Sequence, residues 1–333
     1  MLFTAPAPIS PFPQRNRNSS RCRANQGLPA SLLLTTVFLV AFPFDHSDYL
    51  TSDCLTILSP GVSSLLIMIE PITEISPYIT PLSTARLLLQ HDLFAFETRT
   101  LAALLGLDVS RASCLLARME RDGLVACLER GKYVLLGLNP EQTLSNPLFL
   151  GGQFVTPSYV SFWSALHFYG FTEQAPRQVF IAVTRAKRPL IWRGTAFRFV
   201  RLQPRAFFGY RRETLGGLPV TVADEAKAIV DSLLLPQYAG GVSEAAKALR
   251  SALQDGYLSA ADLIDYARRM GNASLEARLG YLLEALGQPT NGLTPPAGPV
   301  RLEPRRPRQG DYVPRWRLYL NVPREALFPP GVG

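Results

Sequence analysis

Apolar residues first fall into helical register at Pro81, where Leu82, Ala85, Leu88 and Leu89 form one stripe, so a helix is predicted from this proline. A second short helix is predicted over Thr98–Leu105, ending at Gly106. After the tight connection Leu107-Asp108-Val109, Ser110 is the predicted N-cap of a third helix running to Asp122, with Gly123 as its stop. Two strands, Leu124–Leu128 and Lys132–Leu136, are joined by Glu129-Arg130-Gly131. Helix, helix, turn, helix, hairpin is the order of a winged helix-turn-helix. On the third helix, Ala112, Leu115, Leu116 and Met119 form the packing side.

Further along, Ser158–Gly170 reads as one aromatic-rich helix, with Trp163 and Tyr169 as core side chains and His167 packed or capped. Gln178–Val183 reads as a buried strand. Phe197 and Phe199 alternate with Arg198 and Val200 as in a half-buried one. Leu218–Val222 is a further strand, feeding a helix capped by Asp224 and spanning Glu225–Leu234. Three more helices follow: one from Ser243, one with Ser259 and Asp262 in capping-box spacing and a stop at Gly271, and one over about Ser274–Leu286. A Pro- and Arg-rich stretch then leads to a strand-like segment, Trp316–Asn321. Strands before helices predict an α+β class: a winged helix-turn-helix domain at 68–145 and a larger mixed α+β domain at 155–333.

Residues 1–67 do not share this patterning. Arginines at 15, 17, 21 and 23 precede an apolar run from Leu32 to Phe44, the outline of a secretory signal without a small-x-small cleavage site. The run is short of the ~20 residues that span a bilayer. No methionine lies between Met1 and Met68, and patterned sequence starts just after Met68. The expectation is an over-extended gene start, with a disordered extension or a signal as the alternatives.

Charge changes the picture next. The 333 residues carry 34 basic and 26 acidic side chains, a formal net charge of +8, and 30 of the basic residues are arginine. A polyanionic partner, most simply nucleic acid, is therefore expected. The excess is uneven: residues 68–150 hold seven basic and nine acidic side chains, whereas residues 151–333 hold 23 and 14. Four scattered cysteines and three separated histidines (His46, His91, His167) give neither a disulfide framework nor a zinc site. Neither cofactor nor metal is expected, and a reducing, cytoplasmic setting is.

The candidate DNA-reading residues are Ser110, Arg111, Ser113, Arg118 and Arg121 on the third helix, because arginines and small polar side chains suit a helix in the major groove. Arg130 and Lys132 on the wing are candidates for phosphate contacts. A basic face of the second domain, Arg185, Lys187, Arg188, Arg211, Arg212, Arg305 and Arg306, is expected to hold the DNA backbone, since the predicted reader is itself short of charge.

At the level of whole blocks, the segments Ser158-Tyr-Val-Ser-Phe-Trp-Ser-Ala-Leu-His-Phe-Tyr-Gly-Phe-Thr-Glu173, Phe207-Phe-Gly209, Val222-Ala-Asp-Glu-Ala-Lys-Ala-Ile-Val-Asp231, Arg278-Leu-Gly-Tyr-Leu-Leu-Glu284 and Arg315-Trp-Arg-Leu-Tyr-Leu-Asn321 resemble the AbiEi family of type IV antitoxins. The resemblance runs from about Pro81 to the C-terminus. It implies a repressor of its own operon that binds inverted repeats in double-stranded operator DNA through the winged helix; the shortage of charge on that reader adds a homo-oligomer on DNA to the expectation. It also implies a functional partner, a nucleotidyltransferase toxin neutralised without a stable complex, and no membrane association. Where the family has proline in the Val-Ala-Asp block, this chain has Glu225.

Two other readings compete. Asp224, Glu225 and Lys227 have the Glu-x-Lys spacing of a metal-dependent nuclease, in which carboxylates hold Mg²⁺ and lysine assists attack. In that chemistry the pair sits on a strand, whereas here it falls in a predicted helix first turn, which favours a capping role and no catalysis. The third possibility is an adaptor that binds protein and not DNA.

Overall fold

The computed structural model describes residues 79–328. The expectations for residues 1–67, and for Met68 as a start, lie outside the described residues. The first helix, α1 (Pro81–Gln90), begins where expected. Thr80 accepts from the Ser83 backbone N–H, and Ser83 Oγ accepts from the Thr80 N–H. This reciprocal cap satisfies two of the donors a helix start leaves open. A three-residue strand, β1 (Ala95–Glu97), comes next, too short to show any alternation in sequence. Helices α2 (Thr98–Leu104) and α3 (Val109–Arg121) follow, then β2 (Val125–Glu129) and β3 (Lys132–Leu135). The three strands form an antiparallel sheet in the order β1-β3-β2.

Asp108, not Ser110, caps α3: its Oδ1 accepts the Arg111 backbone N–H at 2.9 Å. Asp and Ser cap about equally well, so the choice falls to the backbone, which is extended at Asp108 and already helical at Ser110. Gly123, at φ +74°, turns the chain out of α3 and into β2 in a conformation a side chain would resist. Leu115, Leu116 and Met119 are buried in one cluster with Leu88, Leu101 and Leu105, and Ala112 is buried beside them on the same helix, as the stripe predicts. Burying each of the larger ones contributes roughly 1.5–3 kcal/mol.

The β2–β3 hairpin is apolar on both faces. Val125 and Leu135 close the three-helix core, while Ala126, Leu128, Val134 and Leu136 belong to the core of the larger block. Successive residues of a strand point to opposite faces, so one hairpin serves two cores. The hairpin therefore joins the two expected domains: the described residues fall in one compact unit. Two short helices follow, α4 (Pro140–Leu144) at the end of the first expected domain and α5 (Pro147–Gln153) in the span between the two, with α5 lying on the larger block. At Gly151 a Cβ would come within 2.7 Å of Ile181, so α5 approaches the sheet as closely as a glycine allows.

The predicted helix over Ser158–Gly170 is a strand and then a helix: β4 (Ser158–Val160) and α6 (Phe162–Phe168). Val160 pairs with both β5 (Gln178–Val183) and β9 (Leu218–Ala223), and this pairing overrides the local helical pattern. Within α6, Phe162 and Leu166 are buried, whereas His167, expected to pack, is exposed. Between β5 and β9 lie β6 (Leu190–Trp192), β7 (Thr195–Arg201) and β8 (Tyr210–Leu215). The sheet order is β6-β7-β5-β4-β9-β8, with β5–β7 and β4–β9 parallel and the other pairs antiparallel.

Helix α7 (Glu225–Leu234) is buried without interruption from Ala226 to Leu233. Around it come α8 (Val242–Gln254), α9 (Ala260–Met270) and α10 (Ala273–Ala285). Asp224 caps α7 through the Lys227 N–H, and Ser259 and Asp262 form the expected capping box on α9. A second three-stranded sheet, β10 (Val300–Arg301), β11 (Asp311–Val313) and β12 (Leu318–Leu320), precedes a last turn of helix, α11 (Arg324–Leu327). The α+β class is thus observed.

Arg278 on α10 donates to the carbonyls of Leu233 and Leu234, tying off the end of α7, and to the carbonyl of Arg301. Burial pushes its pKa down to about 10, against the opposing pull of Glu303. Two residues on, Gly280 lies under the buried Trp316 ring, where a Cβ would stand 2.3–2.7 Å from three ring atoms. Trp316 Nε1 is hydrogen-bonded to Glu284, so the indole is held. Gly280→Ala gains up to about 1 kcal/mol in helix propensity but overpacks a held ring, with an expected net loss of about 1–2 kcal/mol. Urea denaturation measures it, and an unchanged midpoint would show that Trp316 yields freely.

Candidate nucleic-acid interface

Helices α2 and α3 meet at 107° across the connection Leu105-Gly106-Leu107-Asp108. With α3's apolar stripe turned inward, its other side presents Ser110, Arg111, Ser113, Ala117, Arg118 and Arg121 to solvent. Arg111 Nε is 3.3 Å from Asp108 Oδ2, with both side chains exposed, so water screens the pair and it holds Arg111 only weakly. Ser113 Oγ donates back to the Val109 carbonyl at 2.8 Å, and this leaves its lone pairs facing outward. Arg118 and Arg121 lie in the last turn of α3, where the helix dipole favours positive charge.

The two cations expected on the wing part company. Arg130 is exposed at the hairpin tip. Lys132 Nζ donates to the Gln153 carbonyl at 3.1 Å and is spent on the joint with α5. The rest of the hairpin is anchored as well. Thr98 holds the Gly131 carbonyl through its N–H, Lys187 pairs with Glu129, and Trp192 Nε1 donates to the Cys127 carbonyl at 3.1 Å.

The basic side chains expected to form one face of the larger block are dispersed. Arg185 donates to the Thr156 carbonyl, and Lys187 is committed to Glu129. Arg211 is bidentate on Glu225, at 2.8 Å for each bond, and also bonded to Glu213. Arg188, Arg212, Arg305 and Arg306 are exposed. Strands β6 and β8 are opposite edges of a six-stranded sheet, so Arg188 and Arg212 flank a width of roughly 24 Å.

The nuclease trio does not assemble. Lys227 is fully buried and pairs with Asp231, one turn along α7, with Met270 Sδ at 3.6 Å. Asp231 also accepts from Tyr159 Oη at 3.0 Å and Ser161 Oγ at 2.8 Å. Asp224 accepts from Tyr266 Oη at 2.6 Å; burial pushes its carboxyl pKa up, partly offset by the hydrogen bonds from Tyr266 and the Lys227 N–H. Glu225 is taken by Arg211. Among the described residues no group of three or more His, Cys, Asp and Glu side chains could hold a metal ion. No single helix among them is long and apolar enough to cross a membrane.

Sequence reasoning missed strand β1, the Lys227–Asp231 pair and the docking of Trp192 and Lys187 onto the β2–β3 hairpin. The last had a signal: Ala126, Leu128, Val134 and Leu136 make the hairpin apolar on the face away from the three helices, which requires a second body against it.

No family model matches the chain, and no curated protein matches it. Among solved structures, the chain is similar to the crystal structure of RV2827C protein from Mycobacterium tuberculosis at 17% identity and a TM-score of 0.46, over 70% of this chain and 88% of that one.

Proposed function

We propose that the chain is a DNA-binding regulator that reads duplex DNA with α3, within a winged helix-turn-helix formed by α1 to β3. One observation carries the reading. The order helix, strand, helix, helix, strand, strand, with sheet order β1-β3-β2 and a 107° bend, leaves exposed an α3 face on which serines and arginines outnumber the single acid, Glu120. Such a helix fits the major groove, where arginine reaches guanine O6 and N7. The resemblance to AbiEi antitoxins supports the rest of the reading: a non-catalytic antitoxin that represses its own operon and counteracts a nucleotidyltransferase toxin. A nucleotidyltransferase gene immediately downstream would support that part.

Arg121 is the sharpest test. Arg121→Ala is expected to weaken binding to a duplex spanning the protein's own promoter by about 1–3 kcal/mol, with less effect on a scrambled duplex. Fluorescence anisotropy on both duplexes reads this. Equal affinities for the variant and the parent would remove Arg121 from the interface.

A further inference from the structure

Building on the reading of α3 as the DNA-contacting helix, we infer that the β6–β7 hairpin is a second wing, whose Arg188 and Arg193 grip the sugar–phosphate backbone beside the segment α3 reads. The hairpin is fastened to the first wing rather than merely near it. Trp192 Nε1 holds the carbonyl of Cys127 on the edge strand β2, and Lys187 pairs with Glu129 two residues further along that strand. Phe154 packs edge-on against Trp192 at 6.5 Å, and Lys187 lies 5.6 Å from the Phe199 ring centre, so the hairpin is held both beside its turn and before its first strand. Arg193 is the neighbour of Trp192, and Arg130 is three residues beyond Cys127. By these contacts the two tips lie within about 25 Å of each other, the span of a few successive phosphates.

The turn itself is made with an arginine where arginine is a poor fit. Trp192 pairs with Thr195, leaving Arg193-Gly194 as a two-residue turn with φ of +47° and +80°. Turns of this kind favour Asn-Gly, because a side chain larger than Asn or Asp is strained in the left-handed region. The Arg193 side chain is exposed, its guanidinium 5.1 Å from the Trp192 ring, where the indole face orients it without neutralising it. Arg188 is exposed at the entrance to β6, and Ile191 between them is 75% exposed, an apolar side chain suited to a deoxyribose face. The planar guanidinium suits phosphate oxygens. This hairpin also supplies charge where it is short, since residues 68–150 carry more acidic than basic side chains. Arg211 on the far sheet edge, by contrast, is engaged by Glu213 and Glu225.

The full chain is titrated against two labelled duplexes, one from its own promoter and one scrambled, across a series of salt concentrations. Arg188→Gln with Arg193→Asn is expected to weaken binding to both duplexes alike, about tenfold. The slope of log affinity against log salt should become shallower by about two, the loss of two phosphate contacts. Its thermal midpoint should be unchanged or higher, because Asn-Gly suits the turn, and Arg193→Lys should keep most of the affinity. Unchanged affinity and slope in the double variant, while Arg121→Ala still loses promoter preference, would refute the second wing and leave the reading of α3 standing. A loss confined to the promoter duplex would equally overturn a backbone role. If the parent chain shows no salt-dependent binding to either duplex, the second wing and the reading it rests on fall together.

Discussion

Lys227→Met is expected to destabilise the protein by about 3–5 kcal/mol, because it leaves the Asp231 carboxylate buried without its counter-charge. Tyr159 and Ser161 still donate to Asp231, but two neutral hydrogen bonds do not replace an ammonium in a site sealed from water. Burial, and then the Asp231 charge, pushes the Tyr159 phenol well above its usual range. A raised folded-state pKa contributes stability that is complete below the unfolded value near 10 and is lost only as pH rises beyond it. Tyr159 therefore remains a donor throughout neutral pH. Removing both charges, Lys227→Met with Asp231→Leu, should recover much of the loss, since an apolar pair of similar size avoids the desolvation penalty. Urea denaturation of the single and double variants provides the comparison. A loss below about 1 kcal/mol in Lys227→Met would mean that the pair is hydrated and its burial misjudged. Activity in Mg²⁺-dependent cleavage that depended on Lys227 would contradict its structural role altogether.

Residues 68–145 alone are expected not to form a stable monomer, although the sequence reads as a separate domain. Cutting after Ser145 strips the outer face of the β2–β3 hairpin, exposing Leu128, Val134 and Leu136 together with Ala126. The three larger side chains account for roughly 5–8 kcal/mol of burial, as much as the whole net stability of many small domains. The same cut removes the partners of Lys132, Glu129 and the Cys127 carbonyl. Aggregation, or a poorly dispersed amide spectrum, is the expected result. A monomeric fragment that unfolds cooperatively would show that the hairpin does not need the second core. The same geometry fixes α3 with respect to the larger block, as the proposed second wing requires.

What was legible in the sequence is what is decided locally. The cap at Asp224, the Ser259–Asp262 box and the stop at Gly271 are set within a few residues, and α7 and α9 appear where they were expected. The apolar stripe of α3 likewise fixed which face is buried and which is free, and so located most of the candidate site. The start of α3 was misplaced by two residues because Asp108 and Ser110 are equally good caps on sequence alone. The failures are non-local. Val160 is extended because β5 and β9 flank it, and Arg185, Lys187 and Arg211 leave the expected basic face because carbonyls and carboxylates distant in sequence take them. Arginine content predicted a polyanion; it did not predict which arginines are free to meet one.

Whether α3 reads DNA is tested most directly by the binding isotherm of the full chain with its own promoter duplex, for the parent and for Arg118→Glu with Arg121→Glu. Saturable binding by the parent that weakens steeply with salt is expected. The variant should lose at least about a hundredfold in affinity, with a thermal midpoint lower by only a few degrees, since both side chains are exposed but lie where the helix dipole favours positive charge. Equal binding by the two proteins, or none by the parent, would contradict the reading of α3.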